Sequence, residues 1–141
     1  MTQEDKMLLI KDLCARLPYG VKMNHIADNE HSPKTLIGVA KDMITLEGLG
    51  GYECVDVEDY KPYLFPLSSM TEEQKEELKN EISKQTDILI ERMKNDDCGI
   101  DCGKYHFHSL LELEWLLKNH FDYRGLIEKG LALDATGLNI Y

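Results

Sequence analysis

The 141-residue sequence has little that would adapt a protein to a membrane or to a nucleic acid. No stretch approaches the ~18–20 apolar residues that cross a bilayer, and the opening MTQEDKMLLIKDLCARL lacks the cationic start and unbroken apolar core of a signal peptide. Positive charge is scarce, because 16 Lys and Arg face 26 Asp and Glu, for a formal net charge of -10. That average field repels phosphate backbones and anionic lipid surfaces. We therefore expect a cytoplasmic protein that binds no membrane and does not bind nucleic acid directly.

Cysteine is also rare, with four residues in the chain. In the cytoplasm they are expected to be reduced thiols rather than disulfides. Cys14 falls on the apolar face of the first predicted helix and Cys54 falls in a predicted strand, so we expect both as small core residues. With 43% apolar and 30% charged residues, the chain can build an ordinary core without a disulfide or a metal.

The first half of the chain shows a helical pattern followed by strand patterns. A Thr2–Asp5 capping pair and apolar residues at helical spacing predict a helix over residues 3–17. The apolar stripe of that helix is Met7, Ile10, Cys14 and Leu17, with Leu13 beside them. Period-two segments then predict four short strands, at residues 21–26, 35–40, 43–46 and 52–57. Residues 61–67 contain two prolines and are expected to form an extended connector, not a central strand.

The second half is expected to be mainly helical. A T-x-x-Q capping box that begins at Thr71 predicts a helix over about 72–95. An S-x-x-E pattern predicts a second helix that starts at Ser109, after a short strand near residues 105–107. The closing residues are expected to form a compact tail with a short helix near 126–131.

Together these patterns predict a single α+β domain over residues 1–141. Residues 1–67 would form the N-terminal helix and a small antiparallel sheet or SH3/Sm-like barrel. Residues 68–141 would form a helical C-terminal half.

Three segments resemble small proteins of gut anaerobic bacteria, their prophages and their phages. These segments are residues 13–21 (LCARLPYGV), 61–71 (KPYLFPLSSMT) and 119–127 (NHFDYRGLI), the last continuing through 130–132 (GLA). That family carries no known activity, so the resemblance transfers no catalytic residue. It implies a mobile-element context, in which many small proteins are accessory or counter-defence factors that act by binding.

One short segment holds enough thiols and imidazoles for a zinc site. Cys98, Cys102, His106 and His108 supply the four ligands that a tetrahedral Zn²⁺ ion takes. The usual C-x2-C knuckle is missing, and four ligands within eleven residues would strain the loop. The preferred interpretation is therefore a turn with two free thiols and a strand with two outward histidines. We predict no cofactor, and zinc is the alternative.

A second cluster, His120, Asp122, Tyr123 and Arg124, combines a base, an acid, a phenol and a guanidinium. Arg124 in such a cluster could bind a phosphate or a carboxylate. The structural interpretation is favoured, in which Arg124 pairs with a neighbouring acid and the aromatic side chains anchor in the core.

The favoured functional hypothesis is a non-catalytic binding or accessory protein of phage or mobile-element origin, which acts on a host protein or a small ligand. One alternative is an acidic mimic of nucleic acid that inhibits a DNA-binding protein, since Glu72, Glu73, Glu76, Glu77 and Glu81 follow one helix face. The other is a small Cys/His metal or thiol enzyme, which is less favoured because no oxyanion-hole signature is present. Exposed sheet edges also favour a homo-oligomer.

Overall fold

The structure is a computed structural model that describes residues 1–30, 32–93 and 100–141, without the side chains of residues 89, 90, 92, 93 and 100–108. The chain forms two compact units. The first combines Met1–Ser69 with His120–Tyr141, and the second is Met70–Asn119. The closing segment of the chain thus returns to the unit in which the chain begins.

Helix α1 (Gln3–Arg16) opens the first unit. The Thr2 hydroxyl accepts from the Asp5 main-chain N–H over 3.1 Å, which confirms the predicted cap. The predicted apolar stripe is partly correct, since Leu13 is buried and Ile10 and Leu17 pack against the core. Met7 is 64% exposed and Cys14 is exposed, so the prediction for these two residues is wrong. In their place α1 buries Leu9 and two charged residues, Asp12 and Arg16.

Among the residues that the structure describes, seven strands pair into one mixed sheet. They are β1 (Lys22–His25), β2 (Lys34–Ala40), β3 (Met43–Gly48), β4 (Gly51–Asp56), β5 (Tyr60–Pro66), β6 (Phe121–Asp122) and β7 (Leu133–Asp134). The order is β4-β3-β2-β1-β5-β6, and β7 also pairs with β5. The first five strands pair antiparallel, whereas β6 and β7 run parallel to β5. The four predicted strands and the α+β class are confirmed.

The proline-rich segment is itself a strand, so the connector prediction is wrong. β5 lies between β1 and β6, and Pro62 is in register with Met23 of β1. Its neighbours each cover only part of its length: β1 pairs with residues 60–62, and β7 and β6 pair with residues 63–66. A strand needs a main-chain donor toward a given neighbour only at alternate residues, so two prolines fit between partial ladders.

The second unit consists of α2 (Glu72–Met93) and α3 (Ile100–Lys118). The T-x-x-Q box caps α2 as predicted, since the Gln74 side chain accepts from Thr71 N–H over 2.9 Å and the Thr71 hydroxyl accepts from Gln74 N–H over 3.2 Å. The predicted helix start at Ser109 and the strand near 105–107 are wrong, because α3 already begins at Ile100. The part of the predicted turn that contains Cys98 lies outside the described residues. Residues 126–130 form turns rather than the predicted short helix.

The core of the first unit lies between α1 and the sheet, and the closing segment adds to it. Its fully buried members include Leu9, Leu13, Val21, Met23, Leu36, Ile44, Leu46, Leu64 and Leu126. A helical C-terminal half does not describe the chain, since residues 120–141 contribute two strands and core contacts to the first unit. In the described parts of the chain, no helix has the length and apolar character to cross a bilayer.

Candidate functional site

In the cluster predicted to bind a phosphate or a carboxylate, Arg124 binds a carboxylate of its own chain. Arg124 Nε donates to Asp12 Oδ1 over 3.2 Å, and Arg16 Nε donates to Asp12 Oδ2 over 2.6 Å. The Asp12 and Arg16 side chains are fully buried. Arg16 Nη2 also donates to the Phe121 carbonyl over 2.7 Å. Two guanidinium groups thus share one carboxylate, and this Asp12–Arg16–Arg124 brace ties α1 to the closing segment.

Asp122 and Tyr123 support the same segment. The Asp122 carboxylate accepts from the main-chain N–H groups of Leu126 and Ile127, each over 2.9 Å, and so fixes the turn that follows. The Tyr123 ring lies near the Arg124 guanidinium, whose Cζ is 4.6 Å from the ring centroid. Burial raises the pKa of Tyr123.

His120 and Tyr141 form a stacked pair, with ring centroids 3.7 Å apart. The Tyr141 hydroxyl donates to the Tyr63 carbonyl over 2.7 Å and accepts from Lys22 N–H over 3.1 Å. Burial raises the pKa of Tyr141. Burial, with Arg16 and Lys22 nearby, lowers the pKa of His120 to about 4. All four residues of the predicted cluster therefore make internal contacts, and an external anion at this position stays a prediction.

The zinc prediction stays a prediction as well. Cys98 lies outside the described residues, and Cys102, His106 and His108 lie in α3, in the part whose side chains are not described. The helix replaces the predicted strand with outward histidines. Among the side chains that the structure describes, no group of three or more His, Cys, Asp or Glu could hold a metal ion.

A polar cluster at one end of the sheet contains a lysine, a glutamate, a tyrosine and a histidine. Lys34 Nζ and the Tyr60 hydroxyl both donate to Glu53 Oε1. The His25 ring meets the Tyr60 ring edge-on, with centroids 5.1 Å apart. The hydrogen bond between Lys34 and Glu53 raises the pKa of the lysine and lowers that of the glutamate. The donors and acceptors satisfy one another, so this cluster joins β1, β2, β4 and β5.

The second unit contains a groove of about 380 Å³ between its two helices. From α2 it is lined by Glu77, Glu81 and Gln85, which are four residues apart and so share one helix face. From α3 it is lined by Leu111, Glu114, Trp115, Lys118 and Asn119. We call these eight residues the α2–α3 groove. Leu111 and Trp115 give it an apolar floor, and the glutamates line it with negative charge.

The negative charge extends beyond the groove along α2. A neighbouring recess of about 500 Å³ is lined by Glu73, Glu76, Glu77, Asn80, Glu81 and Lys84, and so shares two glutamates with the groove. Among the described residues, Glu73, Glu77 and Glu81 have no ion-pair partner. Glu76 pairs with Lys79 over 3.8 Å, but both side chains are mostly exposed, so this pair is weak. The glutamate-bearing face of α2 therefore keeps most of its negative charge.

The acidic face of α2 was visible in the sequence, but the groove was not. Glu77, Glu81 and Gln85 have the spacing of one helix face, and Trp115 lies in an apolar helix. What the sequence did not show is that α3 begins at Ile100 and packs against α2. Without that pairing, the acidic residues predict only a solvated surface.

Comparisons with known proteins add no relative to this description. No family model matches the chain, and no curated protein or solved structure matches it significantly.

Proposed function

We propose that this chain is a non-catalytic binding protein that captures a basic segment of a partner protein in the α2–α3 groove. The observation that carries the proposal is the combination of an apolar floor, Leu111 and Trp115, with Glu77, Glu81 and Glu114 in one groove. Apolar contact supplies affinity, and the negative charge of the carboxylates selects cationic side chains.

The electrostatics of the whole chain support a cationic partner. A net charge of -10 attracts basic proteins from a distance and raises their rate of encounter. The charge on α2 concentrates that attraction at the groove. Since such steering is screened by salt, capture should weaken as ionic strength rises.

The partner class follows from the resemblance to phage and prophage proteins. In that context the partner is a host protein, and the chain is an accessory factor with a counter-defence role. If the captured surface is one that otherwise binds DNA, the chain acts as an acidic mimic of nucleic acid, and the row of glutamates along α2 favours this version. A DNA duplex should then compete with the chain for the partner.

The test uses Trp115, which is the one tryptophan of the chain and lies in the groove. A tryptophan-free peptide that mixes Lys, Arg and Leu should change the emission of Trp115, with an affinity that falls as salt is added. Replacing Glu77 and Glu81 by Gln should weaken binding by about fivefold to tenfold, because each exposed charge pair contributes up to about 1 kcal/mol.

The control is Glu91→Gln, which removes one negative charge from α2 outside the lining of the groove and is matched to Glu77→Gln and Glu81→Gln made singly. It should leave the affinity within about twofold of the unmodified chain. Failure of every basic peptide to bind, or equal losses in the groove and control variants, would overturn the proposal.

We also propose that the first unit closes as an SH3/Sm-like barrel. In the order β4-β3-β2-β1-β5, the strands β1 and β5 lie side by side, and they are the first and the last of the antiparallel strands along the chain. The pairing of β2 with β3 shifts between Leu36 and Gly38, and such a bulge increases the local twist that curls a sheet. Nuclear Overhauser contacts between main-chain protons of β4 and β5 would support closure, and their absence would leave an open sheet.

A homo-oligomer is the alternative proposal to a closed barrel, because an open sheet leaves the edge of β4 free. This strand is the outer member of the sheet order, and Tyr52 on it is 72% exposed. Such an edge can pair with the same strand of a second copy. Sedimentation equilibrium should show a dimer that Tyr52→Pro weakens, and a monomer at all concentrations would contradict it.

A further inference from the structure

From the geometry of the α2–α3 groove, and resting on the proposed function, we infer that the captured segment is an amphipathic helix with cationic side chains four residues apart. The argument depends on three properties of the groove: its direction, the state of its main chain and the spacing of its charges.

The groove runs along the helices. Its α2 wall consists of positions 77, 81 and 85, and its α3 wall contains positions 111, 115 and 118, so each wall is one stripe of a helix. At 1.5 Å per residue, the α2 wall is about 12 Å long, or a little over two helical turns. A segment that fills the groove therefore lies roughly parallel to α2.

The walls offer side chains rather than main-chain partners. Both walls are α-helical, so apart from the last turn of α3 their main-chain N–H and C=O groups are hydrogen-bonded within α2 and α3. An extended segment in this groove would leave its own main-chain groups without partners on the side that faces the floor. A helix satisfies its main chain internally and presents only side chains, which is how helices bind in grooves of this kind.

The charges set the pattern on the bound helix. Glu77 and Glu81 are one turn apart on α2 and are matched by Lys or Arg residues at positions i and i+4 of the partner. A leucine at i+3 shares that face and can contact Leu111 and Trp115. Lys118 lines the same groove and favours an acidic residue on the partner.

The experiment compares three peptides of identical length, about 14 residues and hence about four helical turns. The first carries Arg at i and i+4 with Leu at i+3. The second has the same composition with the two Arg residues on opposite helix faces. The first two peptides end in a proline. The third peptide has the sequence of the first, except that this proline stands in the centre. Binding is measured by Trp115 emission, and peptide helicity by circular dichroism.

We expect the first peptide to bind at least about tenfold more tightly than the other two and to gain helicity on binding. Glu77→Gln with Glu81→Gln should remove most of that preference, whereas Glu91→Gln should keep it. Equal binding of all three peptides would overturn the helix inference and leave the proposed capture of basic segments intact. If none of them binds, both proposals fail. Thermal unfolding of each variant checks that the helices of the second unit remain folded.

Discussion

Arg124 donates to the carboxylate of Asp12 across 112 positions of the chain, and this contact fastens the closing segment to the first helix. Arg16 also donates to Asp12, and the side chains of both residues are fully buried. Burial of a guanidinium without a counter-ion is energetically unfavourable, so the Asp12 carboxylate stabilises the fold more than an exposed carboxylate does.

Replacement of Asp12 by Ala should therefore lower the free energy of unfolding by about 3–5 kcal/mol, because Arg16 would remain buried and unpaired. Urea denaturation followed by circular dichroism measures the change. Lys11→Ala removes an exposed charge from the same helix and should cost no more than about 0.5 kcal/mol. Similar losses in the two variants would show that the brace adds nothing beyond helix propensity.

The hydroxyl of Tyr141 is the second fastening of the closing segment. Tyr141→Phe keeps the ring on His120 but removes the hydroxyl that donates to the Tyr63 carbonyl and accepts from the Lys22 N–H. We expect a loss of about 1–3 kcal/mol in the free energy of unfolding, measured in the same urea experiment. Tyr52→Phe, at a residue that is 72% exposed, is the matched control and should be close to neutral. A neutral Tyr141→Phe would mean that water replaces the hydroxyl without cost.

These contacts explain why the sequence predicted α1 correctly but not all of its buried face. Periodicity assigns apolar residues to the interior, so it selected Met7 and Cys14 and passed over Asp12 and Arg16. The burial of the charged pair is supported by Arg124, which donates to Asp12, and by the Phe121 carbonyl, which accepts from Arg16. Neither partner is near α1 in the sequence, and no local rule can supply them.

Elsewhere in the chain, features that depend on neighbours in sequence were also predicted, and features that depend on distant partners were not. Helix caps depend on neighbours in sequence, so the caps at Thr2 and Thr71 were predicted correctly. The β5 strand depends on three strands distant in sequence, and its prolines concealed it. The groove depends on the pairing of α2 with α3, so the sequence showed its acids but not their arrangement around Trp115.

The exposed cysteines provide a direct test of the corrected buried face of α1. Cys14 and Cys54 were expected in the core, but both are exposed. Cys14→Ser and Cys54→Ser should each change the free energy of unfolding by no more than about 0.5 kcal/mol. In the native protein, both thiols should react with a water-soluble thiol reagent as fast as they do in urea at the same pH. Protection of Cys14 from the reagent, or a loss above about 2 kcal/mol, would restore the original stripe.

The stacked His120 should make the first unit sensitive to acid. Its pKa is about 4 in the folded chain, below the ordinary value of 6.5, because burial, Arg16 and Lys22 disfavour the charged ring. The unfolded chain therefore takes up a proton first, and stability falls as the pH drops from about 6.5 to 4, by about 2–3 kcal/mol. His120→Asn retains a residue that tolerates the positive φ and removes the titration. The difference in unfolding free energy between the two proteins should shrink over that pH range, and a constant difference would contradict the prediction.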